Sequence, residues 1–176
     1  MKRLSERLAL EKLQKLKDDF TKSIKSNYEH KAKSCLTCET NGACCLDAHF
    51  VNVHITKLEA IAIQNTLANL TEHNKAKISQ RIERTINKYK LSRFGDTFSQ
   101  TYACPLFEKG TGCLVHFEGK PLPCIQHACY ENKEDLPPDE LLAEQEGRVE
   151  KLNILAYGKR TTWLPLPLAI HTGRTD

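Results

Sequence analysis

At 176 residues, with 40% hydrophobic and 7% aromatic residues, the sequence suits one domain with a modest core. Its formal charge of +4 is concentrated at the start, where residues 1–33 carry ten Lys or Arg against five Asp or Glu, a local +5. No duplex-docking motif or aromatic stacking platform accompanies that charge, so nucleic acid is not indicated, and no stretch nears the roughly 18 to 20 apolar residues of a membrane span.

Glu6 and Glu11 interrupt the leucines near the start before a signal-type apolar run forms, so the expectation is a soluble, cytoplasmic chain in a reducing compartment. Residues 4–28 space Leu4, Leu8, Leu13, Leu16, Phe20, Ile24 and Tyr28 three to five apart among charges, the pattern of an amphipathic helix. That helix packs on its own domain or pairs with a protein partner. Residues 34–50, turn-rich around Gly42, read as a loop able to wrap an ion. Val51 to Ile55 alternates as a short strand. Thr56 and Glu59 then form a capping box that opens a helix to about Leu70.

Farther on, a helix from about Lys75 to Lys90 sets Ile78, Ile82, Ile86 and Tyr89 on one face. Prolines and glycines between Gly95 and Cys129 predict irregular loops, and Gly110-Thr-Gly112 a turn. Pro138 at a first helical position, with Asp139 and Glu140 behind it, opens a helix that Gly158 stops. The tail around Trp163 to Leu168 reads as extended chain covering apolar surface. The expected fold is mainly α, a small single domain with helices around a loop-rich cysteine-built site and at most short strands. Its parts are an N-terminal helix (1–33), a cysteine-cluster region (34–133), and a C-terminal helix and tail (134–176) on the same domain.

Eight cysteines punctuate this pattern. Cys35, Cys38, Cys44 and Cys45 are written C-x2-C-x5-C-C, and Cys104, Cys113, Cys124 and Cys129 are written C-x8-C-x10-C-x4-C. In a reducing compartment such thiols point to metal ions, and four soft ligands are what one tetrahedral zinc or one iron-sulfur cluster requires. Loading eight thiolates with two Zn2+ would bring the formal charge near zero. A C-x2-C turn brings both sulfurs to one point. Neighbouring side chains diverge by about 100° on a helix, so Cys44 and Cys45 are expected to serve two different sites, or one ligates while the other packs or reacts. The spacings match neither a ferredoxin run, nor two zinc-ribbon knuckles, nor a zinc finger, and Gly42 with the vicinal pair argues against a thioredoxin-like helix after Cys38.

Residues 35–129 resemble the YkgJ-type cysteine-cluster family, a zinc- or iron-chelating domain with a CxxCxxCC signature. The resemblance rests on Cys35-Leu-Thr-Cys38, Cys44-Cys45, Cys104-Pro105-Leu106, Cys113-Leu114-Val115-His116 and Lys120-Pro121-Leu122-Pro123-Cys124. His116, Lys120 and Ile125 stand where the family carries Tyr, Arg and Arg, and the first loop is longer. The resemblance implies metal or iron-sulfur binding without a settled reaction. A similar domain in flagellin lysine methylases extends that to an iron-sulfur enzyme or a methyl-transfer accessory.

His127 and His49 are further ligand or outer-shell candidates, and His116 and His54 lesser ones, whereas His30 and His73 read as solvated. Glu39, Asp47 and Glu108 could serve a metal-bound water as bases but read as surface carboxylates, since sulfur fills both sites. No hydrolase motif is present. The leading expectation is a cytosolic protein that holds an iron-sulfur cluster or Zn2+ through its eight cysteines, with a redox or accessory role. The loose second group slightly favours the larger cluster. A structural zinc module that recruits a protein partner through the N-terminal helix is the other alternative.

Overall fold

The computed structural model describes residues 3–34, 42–46 and 51–173. Cys35, Cys38, Glu39, Asp47 and His49, named above, lie outside them. The described residues form a mainly α fold with seven α-helices and three two-stranded antiparallel ladders of two residues per strand. No described helix is long and apolar enough to cross a membrane. The chain falls into two compact units, each drawn from two separated stretches: Met1–Asn41 with Lys120–Arg160, and Gly42–Gly119 with Thr161–Asp176.

The first unit is built on α1 (Glu6–Asn27), α5 (Leu122–Gln126) and α6 (Asp139–Tyr157). Ser5 caps α1 by accepting from the Leu8 N–H, and the expected stripe is buried at Leu13, Leu16, Phe20 and Ile24. That face packs on α5 and α6 inside the unit. Each such side chain contributes about 1.5–3 kcal/mol on burial. Tyr157 donates to Glu6 at 2.9 Å, tying the end of α6 to the start of α1. Pro138 sits one position before α6 rather than inside it. Gly158 closes that helix in the left-handed region at φ +76°. Strands β1 (Ala32–Lys33) and β5 (Cys129–Tyr130) pair so that Lys33 faces Cys129.

The second unit packs α3 (Lys57–Ala68), α4 (Glu72–Tyr89) and α7 (Leu166–Thr172) around one apolar cluster. Ile55, Ala60, Ile63 and Tyr102 are its most enclosed members, with Leu106 and Val115 next. The capping box at Thr56 and Glu59 is complete, with both reciprocal bonds made. Helix α4 begins a turn before the expected point, because Thr71 caps it by accepting from Asn74 N–H. Of the expected strand at 51–55, His54–Ile55 (β2) pairs with Leu164–Pro165 (β6).

The tail is not extended throughout. After β6 it becomes α7, because Pro165 takes the N-cap and Pro167 an early helical position where no N–H is required. Its residues Leu166 to Ile170 are buried.

Candidate metal centre

The second unit contains Cys44, Cys45, Cys104 and Cys113, two from each sequence group. Cys44 and Cys45 lie on α2 (Ala43–Leu46), a single turn entered from Gly42 at φ +83°. Cys104 belongs to the segment running into β3 (Phe107–Glu108), and Cys113 ends β4 (Gly112–Cys113), with which β3 forms a hairpin. Gly110 and Gly112 supply the turn, both at positive φ.

Phe107 joins these segments. It pairs with Cys113 across the hairpin, and its N–H reaches the Cys104 carbonyl at 3.4 Å. Its ring lies where a side chain on Gly42 would stand. The Cys104 N–H donates to the Cys45 carbonyl at 2.7 Å, fastening the vicinal pair to the other strand of chain. One aromatic residue and one main-chain bond thus bring together thiols that are remote in sequence.

Cys45 interacts electrostatically with all three other thiols and is hydrogen-bonded to Cys44. Cys44 and Cys45 stand side by side on one helical turn, with Cys104 and Cys113 within electrostatic range of Cys45. Adjacent Cα atoms lie about 3.8 Å apart, so a divergence of 100° over one short turn still leaves both sulfurs near a common neighbour. Burial, followed by the like charges of Cys44 and Cys104, pushes the Cys45 thiol up to about 12.

Cys104 is treated differently by its surroundings. Burial raises it to about 11 and Cys113 adds to that, but the backbone N–H groups of Leu106 and Phe107 bond to its sulfur, and Arg81 stands close by; these favour the thiolate. Two N–H donors two and three residues beyond a cysteine form a cradle for a ligating sulfur, as outer-shell bonds do. Pro105, which separates Cys104 from these two donors, has no N–H to compete. Thiolates are the donor type that thiophilic metals prefer.

Among the described residues, no three of His, Cys, Asp or Glu stand close enough around one point to hold an ion. The four thiols interact, but their sulfurs are not drawn to a single coordination point. The six described cysteines form no disulfide with one another.

The first unit places Cys124 on α5 and Cys129 on β5. Lys33, opposite Cys129, precedes Cys35 by two residues. The ladder is flanked by ion pairs, Lys33 with Glu131 at 2.6 Å and Lys31 with Asp135 at 3.4 Å. His127 follows α5, three residues after Cys124 in the chain, and its side chain is exposed.

The remaining candidates sort plainly. His54 is buried, stacked on Phe98 with centroids 4.3 Å apart, and burial lowers its pKa. His116 meets Phe117 edge-on, and His30 and His73 are exposed. Glu108 pairs with Lys77, whose hydrogen bond holds its carboxyl below the usual range. Phe107 and Arg81 were not marked by the sequence. A lone Phe between cysteines and one Arg in a basic helix give no periodic or spacing signal. Compared with protein families, curated proteins and solved structures, the chain finds no match in any of the three.

Proposed function

We propose that this is a thiolate metal-binding protein with two four-cysteine sites that regroup the sequence quartets. One site takes Cys44, Cys45, Cys104 and Cys113. The other takes Cys35, Cys38, Cys124 and Cys129. The observation that carries the reading is the association of Cys45 with Cys44, Cys104 and Cys113, joined by the Cys104 N–H bond to Cys45 and the N–H cradle on Cys104. The second set is supported by chain reach: two residues span at most about 7 Å, and Lys33 already faces Cys129.

A bound zinc ion would cross-link loops that carry little core of their own, whereas an iron-sulfur cluster would add one-electron chemistry. Either occupant requires deprotonated thiols, so uptake releases protons. A cytosolic redox or accessory role, and kinship with the YkgJ-type proteins, belong to this same proposal. The reading in which the N-terminal helix recruits a partner draws less support, because the apolar face of α1 is covered by α5 and α6.

Metal and acid-labile sulfide measured together on anaerobically prepared protein test the proposal. Two occupied sites per chain are expected, brown if iron-sulfur and colourless if zinc. The double variants Cys104→Ser/Cys113→Ser and Cys124→Ser/Cys129→Ser should each lose one site and keep the other. If the sequence quartets were the true sites, both variants would empty the same site, and the regrouping would fall. Wild-type protein free of metal would overturn the reading altogether.

A further inference from the structure

The second unit carries a basic stretch of its own, where α4 ends and the chain turns back toward Tyr102. Residues 84–100 hold Arg84, Lys88, Lys90 and Arg93 against one acidic residue, Asp96, a local +3, and all four cations are exposed. Within this stretch stand Phe94 and Phe98, 77% and 67% exposed. Two large rings left in water on one short loop mark a contact surface.

The loop holds those rings in place. Lys90 ends α4 in the left-handed region, and Leu91 behind it is buried. The Ser92 N–H donates to Gln100 Oε1 at 3.1 Å and closes the loop at its base. Asp96 accepts from the N–H groups of Phe98 and Ser99 at 3.2 and 3.3 Å, which engages its carboxylate in the 3-10 turn Thr97–Ser99. Asn52 donates to the Phe98 carbonyl. The Phe98 ring then lies nearly flat on the buried His54 imidazole, with centroids 4.3 Å and planes 21° apart. One π face is backed by a second ring while the side chain stays largely in water.

Positive charge around a backed aromatic face is the chemistry that receives a nucleobase together with its phosphate. We infer that this loop, with Phe94, Phe98, Lys88, Lys90 and Arg93, is a stacking site for single-stranded nucleic acid. Phe98 takes one base and Phe94 a neighbouring one, while the cations meet the phosphates. Every base has a π face, so the site reads no sequence. An anionic bilayer would meet the same charges, but it takes up apolar side chains that protrude, not a ring laid on the protein's own surface. The inference does not depend on metal at the thiols.

Full-length protein is titrated into labelled oligo(dT), oligo(rU) and an abasic oligomer of equal length, about 15 nucleotides, at about 50 mM salt, and anisotropy is read. Wild type should bind both base-bearing strands with a Kd of roughly 1–100 μM and the abasic strand about tenfold more weakly. Phe94→Ala and Phe98→Leu should each weaken the base-bearing strands about tenfold and leave the abasic strand unchanged, since Leu keeps apolar bulk without the plane. Lys88→Gln combined with Lys90→Gln should lower the salt slope by about 1.4 for all strands, at about 0.7 per phosphate contact. Circular dichroism checks that each variant keeps its helices. Equal binding of the abasic strand by wild type, or unchanged binding by both Phe variants, would overturn the inference. Wild type that binds no strand overturns it too, and co-sedimentation with phosphatidylserine vesicles in that case assigns the loop to a lipid surface.

Discussion

The two units solve different problems. The first has long helices, with the stripe of α1 buried along Leu13, Leu16, Phe20 and Ile24. Its described cysteines hang from a five-residue helix and a two-residue strand. The second also has a true core, but its thiol group lies on one-turn and two-residue elements held by single contacts: Gly42 under Phe107, Cys45 to Cys104, Arg81 to Phe107. Helix packing spreads stabilisation over many side chains. The thiol group concentrates it in a few, so it should be far more sensitive to single changes.

Gly42 gives the largest expected effect. Its φ of +83° suits glycine, and any Cβ would meet the Phe107 ring. Gly42→Val combines backbone strain with overpacking, together costing about 4 kcal/mol. Chemical denaturation should show that loss, with zinc held far more weakly. A wild-type denaturation midpoint would break the view of Phe107 as the joint of the site.

That joint was invisible in the sequence, and the reason is physical. Local signals were readable: the stripe of α1, the reciprocal bonds of Thr56 and Glu59, and the turn at Gly110 and Gly112 each arise from residues a few positions apart. The link between the Cys44–Cys45 turn and Cys104 is instead a main-chain bond between distant segments, which no spacing encodes. The tail was misread for a subtler reason. Two prolines in Trp163 to Leu168 look like helix breakers, yet each stands where the first turn of α7 leaves an N–H without a partner in any case.

The pH response of the second unit sharpens the comparison next. Folding raises Cys45 to about 12 and Cys104 to about 11, each from the ordinary thiol value of 9.0. In metal-free, reduced protein the native state holds these protons while the unfolded chain loses them above about 9. Stability should therefore be undiminished below pH 9 and fall as pH rises toward 11–12. Metal reverses the sense: ligation needs thiolates, so the metal-bound protein should weaken as pH falls. Denaturant midpoints from pH 5 to 10.5, with and without zinc, read both slopes. A metal-free midpoint that is flat from pH 8 to 10.5 would show that the thiols are not enclosed as described.

The smallest effects concern one device used in both units. Thr56 and Ser5 both cap helices, but Thr56 is buried with Glu59, and its hydroxyl both accepts from the Glu59 N–H and donates to the Glu59 carboxylate. Ser5 is exposed and makes one bond of 3.3 Å, from the Leu8 N–H. Removing a cap costs about 1 kcal/mol typically, and more when a buried partner is left underbonded. Thr56→Ala should thus cost about 2 kcal/mol, since Glu59 keeps its bond from the Thr56 N–H but loses the hydroxyl. Ser5→Ala should cost about 0.5 kcal/mol, because water replaces the lost bond at an open helix end. Paired denaturation curves measure the difference. Equal costs would mean that the buried setting adds nothing to the cap, and that enclosure rather than bond count had been misjudged in the second unit.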